Sequence, residues 1–112
     1  EFPRFSGSLR IRTTLVDAYG SRGRRGYKGD LVDISRGGLA FVIRISSKNN
    51  ARLLLGRQVV TDLILDGEVV TCNGIIVGVR QHDDDEQTYC VHVKLAKHFA
   101  QKRFGRIVSL LK

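Results

Sequence analysis

Asp33, Ser35, Gly37 and Gly38 fall within six positions of one another in the stretch KGDLVDISRGGLAF, residues 28–41. A carboxylate accepts hydrogen bonds, and a hydroxyl two residues further on both donates and accepts them. Glycines let a backbone bend and approach a neighbour with no Cβ in the way. A corner of this kind can hold a polar ligand. The same residue types also close an ordinary Asx or Ser turn, with glycine supplying positive φ. Residue types alone leave both readings open.

Other chemistry is poorly furnished. Ser35 has no G-x-S-x-G elbow around it and no His or Lys placed in sequence to activate it. No Walker lysine follows a Gly-rich loop, and no carboxylate pair stands in an evident acid–base arrangement, so a binding domain is expected and not an enzyme. Cys72, Cys90 and His92 are residue types that zinc favours, but they lack a fourth donor and read as small strand residues; no metal and no cofactor is expected. His82 with Asp83, Asp84, Asp85 and Glu86 lacks the spaced acidic pattern of a calcium loop and reads as a charged hairpin tip.

The elements that must position the corner follow from a period of two. Leu9, Ile11 and Leu15 alternate with Arg10, Arg12 and Thr14, which predicts a half-buried first strand with a cationic outer face. Glycines at 20, 23, 26 and 29, with four basic residues between Arg22 and Lys28, predict a long loop. Val32 and Ile34 then share one face of a strand, so that Asp33 turns outward if those two fill the core. Leu39, Phe41, Ile43 and Ile45 predict a strong strand after the corner. Residues 46–56 read as a connection with one helical turn. Residues 58–65 and 68–81 read as a hairpin across Asp66-Gly67, a pair suited to a type I′ turn. Tyr89, Val91, Val93 and Leu95 alternate with Cys90, His92 and Lys94 in a last strand. From Ala96 the period lengthens, and Ala96, Phe99, Ala100, Phe104, Ile107, Val108 and Leu111 predict an amphipathic helix. The fold class is therefore mainly β: a six-stranded antiparallel barrel with a C-terminal helix, closure removing the exposed edges.

A chain of 112 residues suits one domain, large enough to bury roughly two-thirds of its unfolded surface. It therefore does not need the single disulfide its two cysteines allow, and reduced thiols in a cytoplasmic setting are the expectation. No apolar run approaches the ~20 residues of a membrane span. The net charge of +8 points to an anionic partner. Nucleic acid is one such class, reached through the Gly/Arg stretch; only Tyr27 is interleaved with those charges, and base stacking needs more aromatics, so this is a lesser alternative.

The run from Asp33 through Ser35, Arg36, Gly37 and Gly38 to Leu39 resembles the D/N-x-S-x-x-G signature of PilZ domains. The order of elements around it, with NGIIVGVR in a hairpin, YCVHVKL in the last strand and a closing helix, is similar to that family over nearly the whole chain. The resemblance implies a bacterial cytoplasmic receptor for cyclic di-GMP, with outputs in motility or biofilm regulation. It implies that Arg4, Asp33, Ser35, Gly37 and Gly38 bind the ligand, with Arg10, Arg12 and Arg36 as accessories. Arg4 matches the second arginine of the family's R-x-x-x-R element, whose first position falls one residue before Glu1. Residues 1–112 are read as a single PilZ-like domain, excised from or trimmed relative to a longer chain. Signalling would follow from ordering of the Arg4-bearing tail against the barrel, presenting a surface to a protein partner or to the rest of the chain. The alternative is an adaptor of the same fold that binds no nucleotide.

Overall fold

The computed structural model describes residues 9–16, 22–45, 48–65, 67–82 and 87–111. Strands β1 (Arg10–Val16), β2 (Arg22–Ser35) and β3 (Gly38–Arg44) form one meander. A short helix α1 (Lys48–Arg52) leads to a second meander of β4 (Gln58–Leu65), β5 (Glu68–Gln81) and β6 (Thr88–Leu95), followed by helix α2 (Gln101–Leu111). All neighbours are antiparallel. The meanders join along two seams, β3 with β6 and β1 with β4, giving the closed barrel β1-β2-β3-β6-β5-β4. Among the described residues no helix is long and apolar enough to cross a membrane.

Alternation puts one face of each strand in the barrel interior. Leu39, Phe41 and Ile43 of β3 meet Val91 and Val93 of β6, Leu63 of β4 and Ile76 of β5, all buried. Each large side chain contributes about 2 kcal/mol by leaving water. Ala51 of α1 and Leu54 just after it join this core, as do Phe99 and Ile107. Phe99 also stacks on Phe104, with ring centroids 6.5 Å apart. Glu68 pairs with Arg106 of α2 at 2.8 Å, but both side chains are about half exposed. The apolar contacts therefore hold the helix more than the ion pair does. The hairpin between β4 and β5 turns through Gly67 at φ +78°; Asp66 lies outside the described residues.

Three expectations are corrected. Residues 22–29 are not a loop: they extend β2 and pair with β1 from Val16↔Arg22 to Ile11↔Gly29. Glycine serves close packing here, because a Cβ on Gly29 would strike the Val42 carbonyl and the Ile43 side chain of β3. Next, Leu31 is a core residue at 7% exposed, on the face expected to be outside. The β2–β3 register shifts between Leu31 and Asp33, so Val32 is an extra residue. This bulge resets the parity: Ile34 packs against the core and Asp33 is exposed. Finally, α2 begins at Gln101 and not at Ala96. The backbone before it is spent on the barrel, since the Ala96 N–H donates to the Asn73 carbonyl (2.9 Å) and the Phe99 N–H to the Arg36 carbonyl (2.8 Å).

Thr13 and Thr61 face each other across β1 and β4, each 1% exposed. Their hydroxyls share a hydrogen bond of 2.8 Å. Thr13→Val leaves the Thr61 hydroxyl without a partner in the interior and should lower unfolding free energy in urea by about 1–3 kcal/mol. Thr13→Val with Thr61→Val should recover most of that loss, the coupling being read from the double-mutant cycle.

Candidate functional site

Strand β2 ends at Ser35 and β3 begins opposite it at Gly38, with Arg36 and Gly37 as the turn. Asp33 and Ser35 stand two apart on the outward face, both exposed. One Asp33 oxygen, Oδ1, accepts the Ile34 N–H at 2.9 Å, which fixes the carboxylate on the corner. Among the described residues the Ser35 hydroxyl makes only a long contact to the Gly38 carbonyl, 3.4 Å, which a better partner could replace.

The other wall comes from the second meander. Gly38 pairs with Lys94 and Ala40 with His92 across the β3–β6 seam. His92 in turn pairs with Gly78 of β5, next to a register shift between Ile76 and Gly78 that leaves Val77 56% exposed. The result is an open depression of about 330 Å³ on the outer wall. Asp33, Ser35, Gly37 and Gly38 line one side, Lys94 and His92 the other, over an apolar floor that includes Ala40 and Val77. A site of this make-up can take a hydrogen-bond donor edge at the carboxylate, an anion at the ammonium and a flat apolar face between them.

A clasp from the C-terminal side holds the turn. The Leu95 N–H donates to the Gly37 carbonyl at 2.9 Å. The Arg36 guanidinium reaches the Phe99 carbonyl through Nε and Nη2, at 3.4 and 3.3 Å. The His98 ring lies against Gly37, so that a Cβ there would sit 2.8 Å from its Nε2. Among the described residues the positive-φ glycines are Gly56 and Gly67. Gly37 and Gly38 therefore serve close approach and not turn conformation: Gly37 admits the His98 ring, and a Cβ on Gly38 would lie 3.1 Å from the Val93 carbonyl.

Of the residues singled out by sequence, the structure brings Asp33, Ser35, Gly37 and Gly38 together. Arg36 turns away to the Phe99 carbonyl. Arg10 and Arg12 are exposed on β1, but opposite Asp30 and Lys28 of β2 and Ile64 and Asp62 of β4, not in the depression. Arg4 lies outside the described residues. Sequence reasoning missed His92, Lys94 and Val77 as lining residues and His98 as the neighbour of Gly37. The alternation in the last strand does place Cys90, His92 and Lys94 outside, but nothing local says that β6 lies beside β3.

The two thiols differ in setting. Cys72 faces the interior at 8% exposed, whereas Cys90 is half-buried outside, its sulfur 3.8 Å from His92 Nε2. The three candidate metal-ligand residues thus point to opposite sides of the barrel wall. Among the described residues no three metal-ligating side chains form a group. Burial pushes the Cys72 thiol up to about 11, against a smaller downward pull from Arg103 and with a further upward push from Asp62. Cys90 is also raised by burial, with Arg80 opposing.

The family profile of the PilZ domain matches residues 1–110. Among solved structures the chain is similar to K. pneumonia MrkH in its apo state, at 19% identity and a TM-score of 0.61, covering 99% of this chain and 49% of that one. It is also similar to the inhibitor of motility MotI/DgrA of Bacillus subtilis, at 13% identity and a TM-score of 0.58, covering 99% of this chain and 47% of that one. The likeness to both is one of fold, and this chain spans about half of their length. No curated protein matches.

Gly37→Ala should be mild, because His98 is exposed and its ring can swing aside: a loss below about 1 kcal/mol, with a large shift of the His98 ring signals in NMR. Gly38→Ala should cost more, since the Val93 carbonyl moves only if β3 and β6 part. With Ellman's reagent at pH 8, Cys90 should react first. Only about one Cys72 thiol in a thousand is ionised at that pH, so Cys72 should lag until the barrel is unfolded by denaturant.

Proposed function

The chain belongs to the PilZ domain family, and from that premise we propose that it is a receptor for cyclic di-GMP. PilZ domains are ligand-binding receptor domains and not enzymes. The observation that carries the reading is the single depression holding Asp33, Ser35 and Lys94 around an apolar floor. Cyclic di-GMP brings two guanines and two phosphate charges. In this proposal the free oxygen of Asp33 accepts from the N–H edge of one guanine, and Ser35 turns to the same base. The purine face rests on Ala40 and Val77, and Lys94 meets a phosphate.

A depression of about 330 Å³ sits at the small end of ligand pockets, so it holds part of the dinucleotide and leaves the rest to another element. The Arg4-bearing segment is that element in this proposal. Its arginine forks onto guanine O6 and N7 or onto phosphate, and closure of the segment against the barrel is the transmitted signal. Arg36 can join only by leaving the Phe99 carbonyl, which it holds through two long hydrogen bonds. Gly37 and Gly38 keep the corner low enough for close approach. The setting in this reading is the bacterial cytoplasm and the output a protein partner or another part of the same polypeptide, residues 1–112 being one domain of it.

A second reading, an adaptor of the same fold without nucleotide, draws on the apolar side chains left in water: Leu53 69%, Leu55 59%, Val77 56% and Ile75 44% exposed. Leu53 and Leu55 lie in the turn after α1, and Ile75 and Val77 on β5; together they offer a protein-docking surface.

Isothermal titration of the natural full-length protein decides between the two. Saturable heat with cyclic di-GMP and none with GMP is expected. Asp33→Ala, Ser35→Ala and Lys94→Ala should each weaken it about tenfold or more, the effect of losing a charge-assisted hydrogen bond. No heat at tens of micromolar nucleotide removes the receptor reading and leaves the adaptor.

A further inference from the structure

A second cavity lies on the far side of His98, under the start of α2. It measures about 430 Å³ and is lined by Cys72 and Asn73 of β5, Lys97 and His98 of the connection, and Arg103 of α2. Three cationic or basic side chains face it and no carboxylate does. Among the described residues none of the three has an acidic partner: the nearby helix ion pair engages Arg106, not Arg103. Asp62 acts on the Cys72 thiol from outside the lining, and its carboxylate accepts the Thr71 hydroxyl at 2.8 Å.

The helix start above this cavity is built against its own electrostatics. A helix leaves its first N–H groups without intrahelical partners and carries partial positive charge at that end. The residue before Gln101 is Ala100, whose methyl group cannot cap. The first turn has no acidic residue and instead carries Lys102 and Arg103. Inside the cavity the Cys72 side chain, 8% exposed, presents a thiol with no hydrogen-bond partner among the described residues. A thiol is a weak donor. The Arg103 guanidinium, the Lys97 ammonium, the His98 imidazole and the Cys72 S–H thus line one space at the uncapped helix start, where Thr71 and Asn73 offer neutral acceptors and no anionic group lines the wall.

We propose that this cavity is a binding site for a phosphate-type oxyanion, free or as a monoester, separate from the Asp33–Ser35 corner. The anion supplies the missing cap of α2 and is held by Arg103, Lys97 and His98. The proposal does not rest on nucleotide binding at the corner, and the two fail independently.

The test uses the full chain in chloride buffer, titrated with inorganic phosphate in one arm and glycerol 3-phosphate in the other. It is followed by backbone amide NMR and by Tm. Saturable shifts at Lys97, His98 and residues 101–103, with a rise in Tm, are expected. The arm that binds more tightly tells a free anion from a monoester, and a response in either supports the site. Ala100→Asp places a carboxylate where the anion would sit: it should raise Tm by roughly 4 °C without phosphate and abolish the phosphate response. Arg103→Gln, at an exposed position, should keep the fold and weaken the response about tenfold. No saturation in either arm, a response unchanged by Ala100→Asp, or shifts confined to the corner around Asp33 and Lys94 would overturn it.

Discussion

The pairing of β3 with β6 is the constraint from which most of the molecule follows. Its register sets Gly38 opposite Lys94, Ala40 opposite His92 and Phe41 opposite Val91. The inward residues of that ladder are the centre of the core, and its outward residues are one wall of the depression. A slip of one residue would exchange the two faces, moving His92 and Lys94 inside and Val91 and Val93 into water. Burial of the core is thus what holds the outer-wall side chains in place. Beyond the end of this ladder the Leu95 and Phe99 N–H groups go on donating to the Gly37 and Arg36 carbonyls, so the turn is fixed by the strand that faces it.

How legible this was in the sequence depended on whether the signal was local. Alternation in residues 39–45 and 89–95 gave strands with the right inward faces, and Asp66-Gly67 gave a hairpin, because pleat and turn chemistry are written within a few residues. The corner itself was legible too, as residue types and as a family resemblance. The Gly/Arg stretch misled because glycine marks both loops and close strand approach, and only the neighbouring Val42 and Ile43 decide which applies. Leu31 was assigned to the wrong face because a bulge is a two-strand feature, invisible in one strand's pattern. The early start of the helix failed because Ala96 and Phe99 keep helical spacing while their N–H groups are bound by Asn73 and Arg36. The far wall of the site needed the strand order, which no local pattern encodes.

His98 stands between the corner depression and the cavity under α2. One side of its ring rests on Gly37 at the corner, and the residue also lines the cavity under α2. Neither contact needs a charge on the ring, and both need its position. The side chain is exposed, so that position is set by what flanks it more than by burial. The absence of a Cβ at Gly37 leaves it room on one side, and the path of the chain through Phe99, anchored at 6% exposed, brings it there on the other. Of the 19 lysines and arginines behind the net charge of +8, five fall in the segment from Lys94 to Arg106, which contains no acidic residue.

The order of the strands also bears on how the barrel assembles. Within each meander, β1-β2-β3 and β4-β5-β6, partners are neighbours in sequence and zip through short connections. The two seams instead join segments about fifty residues apart, Thr13 with Thr61 and Gly38 with Lys94, and such late, non-local contacts slow a chain's search. The depression takes one wall from each half and straddles the second seam. A half-made molecule, as on the ribosome before β6 has emerged, therefore has the Asp33–Ser35 corner but nothing facing it.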